Sequence, residues 1–302
     1  MRPTLAHTLH GNNRQITIPA EQWLQNTFDS NSWVILSPIE QSIKAKIEKY
    51  GTPLKDWDLQ INYGIKTGCN EAFIITTAKR EEILANCKTE NERKRTDEII
   101  RPILRGRDIK RYKYDWKGLW LINTHNGVKG KFPRIDIKDY PAIKQWLDKG
   151  GEAYNGKVYH GYKDIEKRAD QGDTPYNLRN CAYLEDFKQP KLLYREISNS
   201  MDAVYVNSDM FINNKAYLIT GRKIKYLSIF FNSQFFTKNF LSSANTTGGK
   251  GPDFLLPLKI FNPSENIEKQ LISLAEKSEY KKVELLICQC YQLNEKEINY
   301  IL

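Results

Sequence analysis

The sequence predicts an α+β fold in which strands form a mixed sheet, helices lie at its periphery and a long helix lies near the end of the chain. Amphipathic or charged segments with helical spacing recur along the sequence. Shorter runs between them alternate between apolar and polar residues or become continuously apolar, which indicates strands. The chain has no internal repeat, and its 302 residues allow one large domain or two small ones.

The first half of the chain is predicted to contain three helical segments and two strands. Residues 37–53 are predicted to form a short amphipathic helix that a serine caps and a Gly-Thr-Pro sequence ends. Residues 58–77 are predicted to form two strands joined by a turn-rich loop at 64–70. The other helices are predicted at 78–104, which is rich in charge, and at 140–151, where two glycines follow the last turn.

The second half is predicted to begin with a long surface loop at 151–180, a length that is usually functional or disordered. The extended segments that follow are predicted at 190–197, 202–207, 210–220 and 256–263. A helix rich in aromatic residues is predicted in the core at 223–241, before a flexible loop at 242–254. The long helix is predicted at 264–291, where a serine caps it and an apolar stripe follows one face.

The charge of the chain indicates a polyanionic partner. Lys and Arg number 46 against 36 Asp and Glu, which gives a formal net charge of +10. Such an excess favours nucleic acid or an anionic membrane surface. No stretch has the length and hydrophobicity of a membrane span, and the N-terminal residues lack the apolar core of a signal peptide. Five scattered cysteines are typical of reduced thiols in the cytoplasm, and four unpaired histidines argue against a zinc site.

The positive charge is concentrated in residues 105–117, where only Asp108 and Asp115 oppose six cations. Apolar residues flank this stretch on both sides, so a folded element is expected to present the charge. The glycine at position 106 would let the backbone turn closely, and Asp108 could orient one of its arginine neighbours. The alternative is a solvated basic face with one internal ion pair.

Several sequences resemble catalytic motifs, but each is incomplete. Residues 151–158 have the glycine and lysine spacing of a phosphate loop, but they lack its Ser or Thr and follow a helix. Residues 252–253 and 279–281 imitate a metal-dependent nuclease signature whose second half lies on a predicted helix. The chain has no Asn/Asp-Pro-Pro-Tyr/Phe sequence of an adenine methyltransferase and no glycine-rich turn for S-adenosylmethionine. The chain is therefore predicted to be non-catalytic by itself.

Eight motifs in a fixed order carry a resemblance to a known family. They are NYGIKTGCNEAFII (62–75), IIRPILRGRDIKRY (99–112), WLINT (120–124), YPAIKQWL (140–147), RADQGDTPYNLRNCAY (168–183), QPKLLYREI (189–197), YLSIFFNSQFF (226–236) and LLPLKIF (255–261). Together they resemble the TaqI-like C-terminal specificity domain, the target-recognition region of type IIG restriction–modification enzymes of the Eco57I class. That region is similar in role to the specificity subunits of type I systems.

The resemblance implies a domain organisation and a set of partners. It implies a linker with a short helix at 1–55, a DNA target-recognition domain at 56–262 and a helical segment at 263–302. In the family, this region follows an adenine-N6 methyltransferase domain and often a nuclease domain. S-adenosylmethionine and Mg²⁺ would belong to those domains, so no cofactor is expected in this chain. The expected partners are double-stranded DNA and the methyltransferase domain of the same polypeptide.

Three alternatives stay open at this point. The chain could be a separate specificity subunit rather than a C-terminal fragment. It could be a nuclease or methyltransferase in its own right, although the missing motifs argue against an enzyme. It could also be a protein-interaction module whose basic face meets an acidic partner.

Candidate site residues follow from the two kinds of contact that DNA recognition needs. Lys and Arg side chains neutralise phosphates, whereas polar side chains in loops read base edges. The predicted phosphate contacts are Arg105, Arg107, Lys110, Arg111, Lys113, Lys157, Lys163, Arg168 and Arg179. The predicted base-reading residues are Lys66, Thr67, Asn70, Asn245, Thr246, Thr247 and Lys250.

Each group of candidates also has a structural alternative. Thr67 and Asn70 could stabilise their own turn. The tyrosines that alternate with cations in 151–180 could anchor that loop to the domain rather than meet nucleic acid. Arg168, Asp170 and Arg179 could equally form a buried network that holds the loop.

Overall fold

The computed structural model describes residues 7–11, 14–18, 36–241 and 249–302. The chain divides into two units, Met1–Ala45 and Lys46–Leu302. In the first unit, β1 and β2 form an antiparallel hairpin in which His7 pairs with Ile18 and Gly11 with Arg14. The second unit holds the two main sheets and every described candidate site residue.

The elements of the first half are β1 (His7–Gly11), β2 (Arg14–Ile18), α1 (Pro38–Tyr50), β3 (Gly51–Pro53), β4 (Leu59–Tyr63), α2 (Asn70–Phe73), β5 (Ile74–Thr76), α3 (Thr77–Ala85), α4 (Glu90–Ile99), β6 (Ile100–Leu104), β7 (Ile109–Lys110), β8 (Lys113–Tyr114), β9 (Leu119–Ile122) and α5 (Pro141–Lys149). Short 3₁₀ helices occur at Leu54–Asp56, Gly106–Asp108 and Ile137–Asp139.

The elements of the second half are β10 (Gly151–Glu152), β11 (Val158–Tyr159), α6 (Tyr162–Ile165), β12 (Lys191–Arg195), β13 (Ala203–Val206), β14 (Phe211–Ile212), β15 (Ala216–Gly221), α7 (Ile224–Phe231), α8 (Gln234–Phe236), α9 (Pro252–Leu255), β16 (Lys259–Phe261), α10 (Glu265–Glu276), α11 (Tyr280–Cys290) and α12 (Glu295–Ile301). A 3₁₀ helix covers Leu184–Lys188 and a π-helix covers Thr237–Leu241.

Two four-stranded sheets form the centre of the second unit. One is antiparallel, with the strand order β13-β12-β15-β4. The other has the order β14-β6-β9-β5 and is mixed, because β14 runs parallel to β6 while β6, β9 and β5 alternate in direction. Helices pack around these sheets, so the predicted α+β class with a mixed sheet is confirmed.

The predicted helix at 78–104 is wrong in its last five residues. Thr89 caps a new helix, α4, by accepting a hydrogen bond from the N–H of Glu92. The chain then leaves the helix at Ile100 and continues as β6, whose Ile103 and Leu104 are fully buried in the mixed sheet. Burial in a sheet therefore overrides a charged helical pattern that ends in apolar residues.

The helical C-terminal region is present, but it consists of three helices rather than one long one. Ser264 caps α10 by accepting from the N–H of Ile267, as its sequence position predicted. The first break falls where Ser278 adopts a left-handed φ of 58°. The second falls before Asn294, which begins α12 through a capping box with Glu297. The predicted helix at 264–291 therefore corresponds to α10 and α11, and α12 follows beyond its predicted end.

The predicted core helix at 223–241 is also divided. It comprises α7, α8 and the π-helix, and Ser233 caps α8 by accepting from the N–H of Phe236. Phe230, Phe235 and Phe236 are fully buried. This part of the chain was therefore correctly assigned to the core, although its backbone is less regular than a single helix.

Candidate nucleic-acid interface

The basic segment, residues 105–117, forms a short 3₁₀ turn followed by the hairpin of β7 and β8. The hairpin turns at Arg111 and Tyr112, and Tyr112 has a left-handed φ of 63°. The N–H of Tyr112 donates to the carbonyl of Ala203 on β13 at 3.0 Å, which attaches the turn to the antiparallel sheet. The exposed cations of the segment are Arg107, Lys110, Arg111, Lys113 and Lys117. A folded element thus presents the charge, as the flanking apolar residues predicted.

Arg105 differs from these cations because its side chain binds Asp108. Its Nε and Nη2 atoms each donate to a separate carboxylate oxygen at 2.8 Å, and its backbone N–H donates to the same carboxylate at 2.9 Å. The hydrogen bond from Arg105 to Asp108 raises the pKa of the arginine. Asp108 is only 3% exposed, so this ion pair belongs largely to the protein interior. Arg105 is therefore occupied within the fold.

Arg111 lies against aromatic rings at the turn of the hairpin. Its guanidinium carbon is 5.2 Å from the centre of the Tyr112 ring and 5.8 Å from that of Tyr280, at the start of α11. The two tyrosine rings stack with their centres 4.8 Å apart. These contacts connect the basic hairpin to the C-terminal helices and restrict the directions in which Arg111 can point.

Asn213 joins the basic segment to a second candidate element, the loop of residues 64–70. Its side-chain oxygen accepts from the N–H of Gly106 at 3.1 Å and from that of Lys215 at 3.2 Å. The next residue, Asn214, donates its N–H to the carbonyl of Ile65 at 3.1 Å. The 64–70 loop and the basic segment therefore emerge side by side.

Lys215 is a cation that the sequence analysis missed. It is exposed, and its carbonyl lies so close to Gly106 that a Cβ on that glycine would be 2.2 Å from the oxygen. Lys215 is therefore a near neighbour of Arg107, and its Nζ lies 3.7 Å from a carboxylate oxygen of Glu196. The Asn-Asn-Lys sequence of 213–215 between two apolar runs could have signalled an exposed turn, but not its neighbours.

The 64–70 loop separates its predicted base readers into buried and accessible residues. Thr67 is 2% exposed, and its hydroxyl donates to the side-chain oxygen of Asn70 at 2.7 Å. Thr67 and Asn70 thus bond to each other within their own turn, which is the structural alternative stated for them in the sequence analysis. The side chain of Lys66 is 42% exposed and pairs with Asp170 at 3.1 Å. Lys66 and Asn70 are partly exposed, whereas Thr67 is buried.

Arg168 lies under this loop rather than on the surface. It is 6% exposed, and its guanidinium carbon is 4.5 Å from the centre of the Phe73 ring. Its two terminal nitrogens donate to the carbonyls of Thr67, Asp170, Pro175 and Asn177. Burial without a carboxylate partner lowers the pKa of Arg168 to about 10. The side chain remains charged at neutral pH and is used within the fold.

Asp170 brings two of the predicted contacts together. One of its carboxylate oxygens is 3.1 Å from Lys66 Nζ, and the other is 3.3 Å from Nη1 of Arg179. The side chain of Arg179 is 47% exposed. Two segments far apart in sequence therefore place two accessible cations on either side of one carboxylate.

The remaining cations of the predicted loop at 151–180 are on the surface. Lys157, next to β11, has a side chain that is 72% exposed and lies 3.6 Å from Glu71. Lys163 is exposed on α6. The loop is anchored by tyrosines, since the hydroxyl of Tyr159 donates to the carbonyl of Leu147 at 2.7 Å and that of Tyr176 donates to Asp148 at 2.6 Å. These two tyrosines therefore anchor the loop to the domain, as the structural alternative proposed.

Lys250 is buried, although the sequence placed it in a flexible loop. Its Nζ donates to the carbonyls of Ser198 and Ser200 at 2.7 and 3.0 Å and to the Ser198 hydroxyl at 2.8 Å. Burial lowers the pKa of Lys250 to about 8. The other three candidates of this loop, Asn245, Thr246 and Thr247, lie outside the described residues.

Two structural features are absent from the residues that the structure describes. Among them, no group of three or more His, Cys, Asp and Glu side chains is arranged to hold a metal ion. Within the same part of the chain, every helix is too short or too polar to span a membrane.

The chain resembles known proteins both in sequence and in structure. A sequence model of the TaqI-like C-terminal specificity domain matches residues 101–255. No curated protein sequence matches the chain. The chain is similar to the type IIL restriction–modification enzyme MmeI, solved in complex with DNA, with a TM-score of 0.48 and 14% identity. It is also similar to the type IIG restriction endonuclease BpuSI, with a TM-score of 0.49 and 13% identity. The matches cover 96% and 88% of this chain but only 37% and 32% of those enzymes.

Proposed function

Because the chain belongs to the family of TaqI-like C-terminal specificity domains, we propose that it positions and reads a specific sequence of double-stranded DNA. It would supply affinity and sequence choice for an adenine-N6 methyltransferase or restriction enzyme, and no chemistry of its own. No cofactor is assigned to this chain, and S-adenosylmethionine and Mg²⁺ would act in catalytic domains.

The observation that carries the proposal is the junction at Asn213. Asn213 is bonded to the basic segment and the adjacent Asn214 is bonded to the 64–70 loop, so one short turn supports both. The exposed cations of the basic segment would bind the phosphates of a duplex. The 64–70 loop beside them could then approach its bases. Phosphate contacts fix the register of a protein on DNA, and base-edge contacts then discriminate between sequences.

The proposed phosphate contacts are the exposed cations Arg107, Lys110, Arg111, Lys113, Lys157, Lys163, Arg179 and Lys215. Arg105 and Arg168 are left out because their donor groups are used inside the fold. For base reading we retain Lys66 and Asn70, and Lys250 is left out because it is buried. The bidentate or paired contacts of such side chains typically give about 1–3 kcal/mol of discrimination per base pair.

The proposed partners are the DNA duplex and a methyltransferase domain, with or without a nuclease domain, of the same polypeptide. Within this chain, residues 56–262 would form the recognition domain, and 263–302 would dock onto the catalytic part. We expect the protein to act in the cytoplasm, where its DNA substrate is present.

Salt-dependent DNA binding tests this function. Changing Arg107 and Arg111 to Ala should weaken binding to all duplexes about equally, because phosphates carry no sequence information. Each lost phosphate contact should reduce the slope of log K against log salt by about 0.9. Fluorescence anisotropy at several salt concentrations measures this slope.

Arg222→Ala provides the control, because Arg222 is exposed and follows the last residue of β15, whereas the turn at Asn213 precedes the first residue of that strand. An unchanged slope in the folded double variant would remove the basic segment from the interface. If the wild-type chain binds no duplex but captures an acidic protein, the interaction-module alternative would replace this proposal. Incubation with DNA and labelled S-adenosylmethionine, or with DNA and Mg²⁺, separately tests for enzymatic activity of the chain.

A further inference from the structure

We propose that Arg168 is a positioning residue for base recognition. It would hold the 64–70 loop against the segment 168–179, so that Lys66 approaches DNA from one fixed direction. This inference rests on the proposed function and deepens it, because it assigns part of the sequence specificity to a side chain that does not contact DNA.

The first step of the argument is the set of bonds that the guanidinium makes. Nη1 donates to the carbonyl of Thr67 at 2.5 Å and to that of Asp170 at 2.7 Å. Nη2 donates to the carbonyl of Pro175 at 3.0 Å and to that of Asn177. Only the bond to Thr67 leaves the segment of Arg168 itself, and it crosses 101 positions of sequence. The guanidinium is therefore a connector between two segments that are far apart in the sequence.

The second step concerns what the Nη1 atom fixes. Thr67 directly follows Lys66, so the bond to its carbonyl holds the backbone from which the lysine side chain leaves. The other bond of Nη1 holds the backbone of Asp170, whose carboxylate is 3.1 Å from Lys66 Nζ. One nitrogen thus restrains both the backbone next to Lys66 and the backbone of Asp170, whose carboxylate contacts the Nζ of that lysine.

The third step is that the two segments touch closely. Gly68 has a left-handed φ of 68°, and a Cβ on it would lie 3.0 Å from the carbonyl oxygen of Asp170. The loop and the segment 168–179 therefore approach each other closely at a position where a residue with a side chain would be strained. Arg168 occupies the space beneath this contact, with its guanidinium over the Phe73 ring.

An arginine is needed for these bonds because of its shape. Its planar fork carries donors on separate nitrogens, which can reach carbonyls in different directions. A lysine at the same position would keep the positive charge, but all its donors leave from one atom. It cannot reach both Thr67 and Asn177 with the same geometry. The substitution Arg168→Lys therefore separates the charge of the residue from its role as a connector.

The test compares Arg168→Lys and Arg168→Met with the control Arg222→Met in the restriction–modification protein that carries this domain. Preferred sites are selected from a randomised duplex pool, and affinities for the best site and for single-mismatch sites are measured at several salt concentrations. For Arg168→Lys we expect the ratio between these affinities to fall about tenfold or more, which is the discrimination that one good base contact supplies. The salt slope should not change, and the control should retain both the selected site and the slope.

A second measurement keeps the test informative if Arg168→Met fails to fold. In the folded Arg168→Lys chain without DNA, hydrogen exchange of the amides at 65–70 should become about tenfold faster, while core strands keep their protection. A salt slope that falls by about 0.9 would mean that Arg168 contacts a phosphate, which would overturn the inference. Unchanged site selection in Arg168→Lys would overturn it as well, and would leave only a stabilising role. If the wild-type protein selects no site, the proposed function is contradicted, and so is this inference, because it rests on that function.

Discussion

At the scale of single residues, two contrasting groups of cations stand out among the described residues. Those of the basic hairpin are exposed, whereas Arg168, Lys191 and Lys250 are buried and donate to carbonyl groups. Carbonyl groups accept from the two terminal nitrogens of Arg168 and from Nζ of both lysines, but these dipoles do not neutralise the positive charges. Burial therefore lowers their pKa values, whereas an exposed cation keeps its charge available for a phosphate.

Base recognition by the 64–70 loop can be tested at Lys66 and Asn70. Changing Lys66 to Met or Asn70 to Ala should alter which sequence is preferred more than it alters non-specific affinity, because base-edge contacts discriminate and phosphate contacts do not. The measurement is site selection from a randomised duplex pool, and Arg222→Met serves as the control because Arg222 is exposed and lies outside the loop, directly after β15. If every variant selects the wild-type site, the loop is a structural turn.

Lys191 should make stability depend on pH in the alkaline range. Burial lowers its pKa to about 8 in the folded chain, whereas an unfolded lysine has a pKa of about 10.4. Between these two values the unfolded state binds more protons, so the contribution of this group to the free energy of unfolding rises with pH. Below the folded-state pKa both states are protonated and the contribution is constant.

Urea unfolding of the wild type and Lys191→Met at a series of pH values measures this effect. The difference in unfolding free energy between the two proteins should shift in favour of the wild type from about pH 8 to about pH 10.4. A difference that is constant across this range would contradict the assignment.

At the scale of elements, the turn at 213–215 determines where the candidate interface lies. Asn213 donates its N–H to the carbonyl of Leu104 at the end of β6 and accepts from Gly106 just beyond it. The turn also connects β14 of the mixed sheet to β15 of the antiparallel sheet. The two sheets therefore meet at the point where the basic segment and the 64–70 loop begin.

Gly106 should be intolerant of even a methyl group. Its Cβ would lie 2.2 Å from the carbonyl oxygen of Lys215, and neither backbone can retreat without breaking the bonds of Asn213. Gly106→Ala should lower the free energy of unfolding by about 1–3 kcal/mol, as overpacking of a close contact typically does. Gly249→Ala is the control, since its nearest new neighbour would be 3.4 Å away on a side chain. Equal stability of the two variants by urea unfolding would show that the contact can relax.

At the scale of the whole molecule, the proposed function assigns DNA recognition to this chain and the chemistry to a catalytic domain. A recognition domain of this kind would form one wall of a DNA cleft, and the other wall would hold the rest of the phosphate contacts.

The chain by itself is therefore expected to bind DNA weakly and with little selectivity. Scattered Lys and Arg contacts typically give dissociation constants of about 10⁻⁴–10⁻⁶ M at physiological salt, whereas specific complexes commonly reach about 10⁻⁸ M or tighter. Fluorescence anisotropy on a cognate and a scrambled duplex at two salt concentrations checks this expectation. Nanomolar, sequence-selective binding by this chain alone would contradict the one-wall arrangement and indicate an autonomous specificity subunit.

Much of this architecture could be predicted from the sequence. The α+β class, the strands at 190–197 and 202–207, the aromatic core segment and the resemblance to the TaqI-like specificity domain are all confirmed, whereas the turn at 213–215 divides the predicted strand at 210–220 into β14 and β15. These features depend on the spacing of apolar residues, on capping residues and on motifs in a fixed order, which are local properties of the chain. The same local signals placed the concentrated charge of 105–117 on a folded element.

What only the tertiary structure decided is which polar side chains are available. Arg168 and Arg179 stand in one motif, yet one is buried under the 64–70 loop and the other is exposed beside Asp170. Lys250 and Lys215 were likewise indistinguishable as lysines in polar sequence, but the first is buried and the second is exposed. The reason is physical: whether a cation meets solvent or a carbonyl depends on segments far apart in the chain, such as 67 and 168, that come together only when the sheets pack.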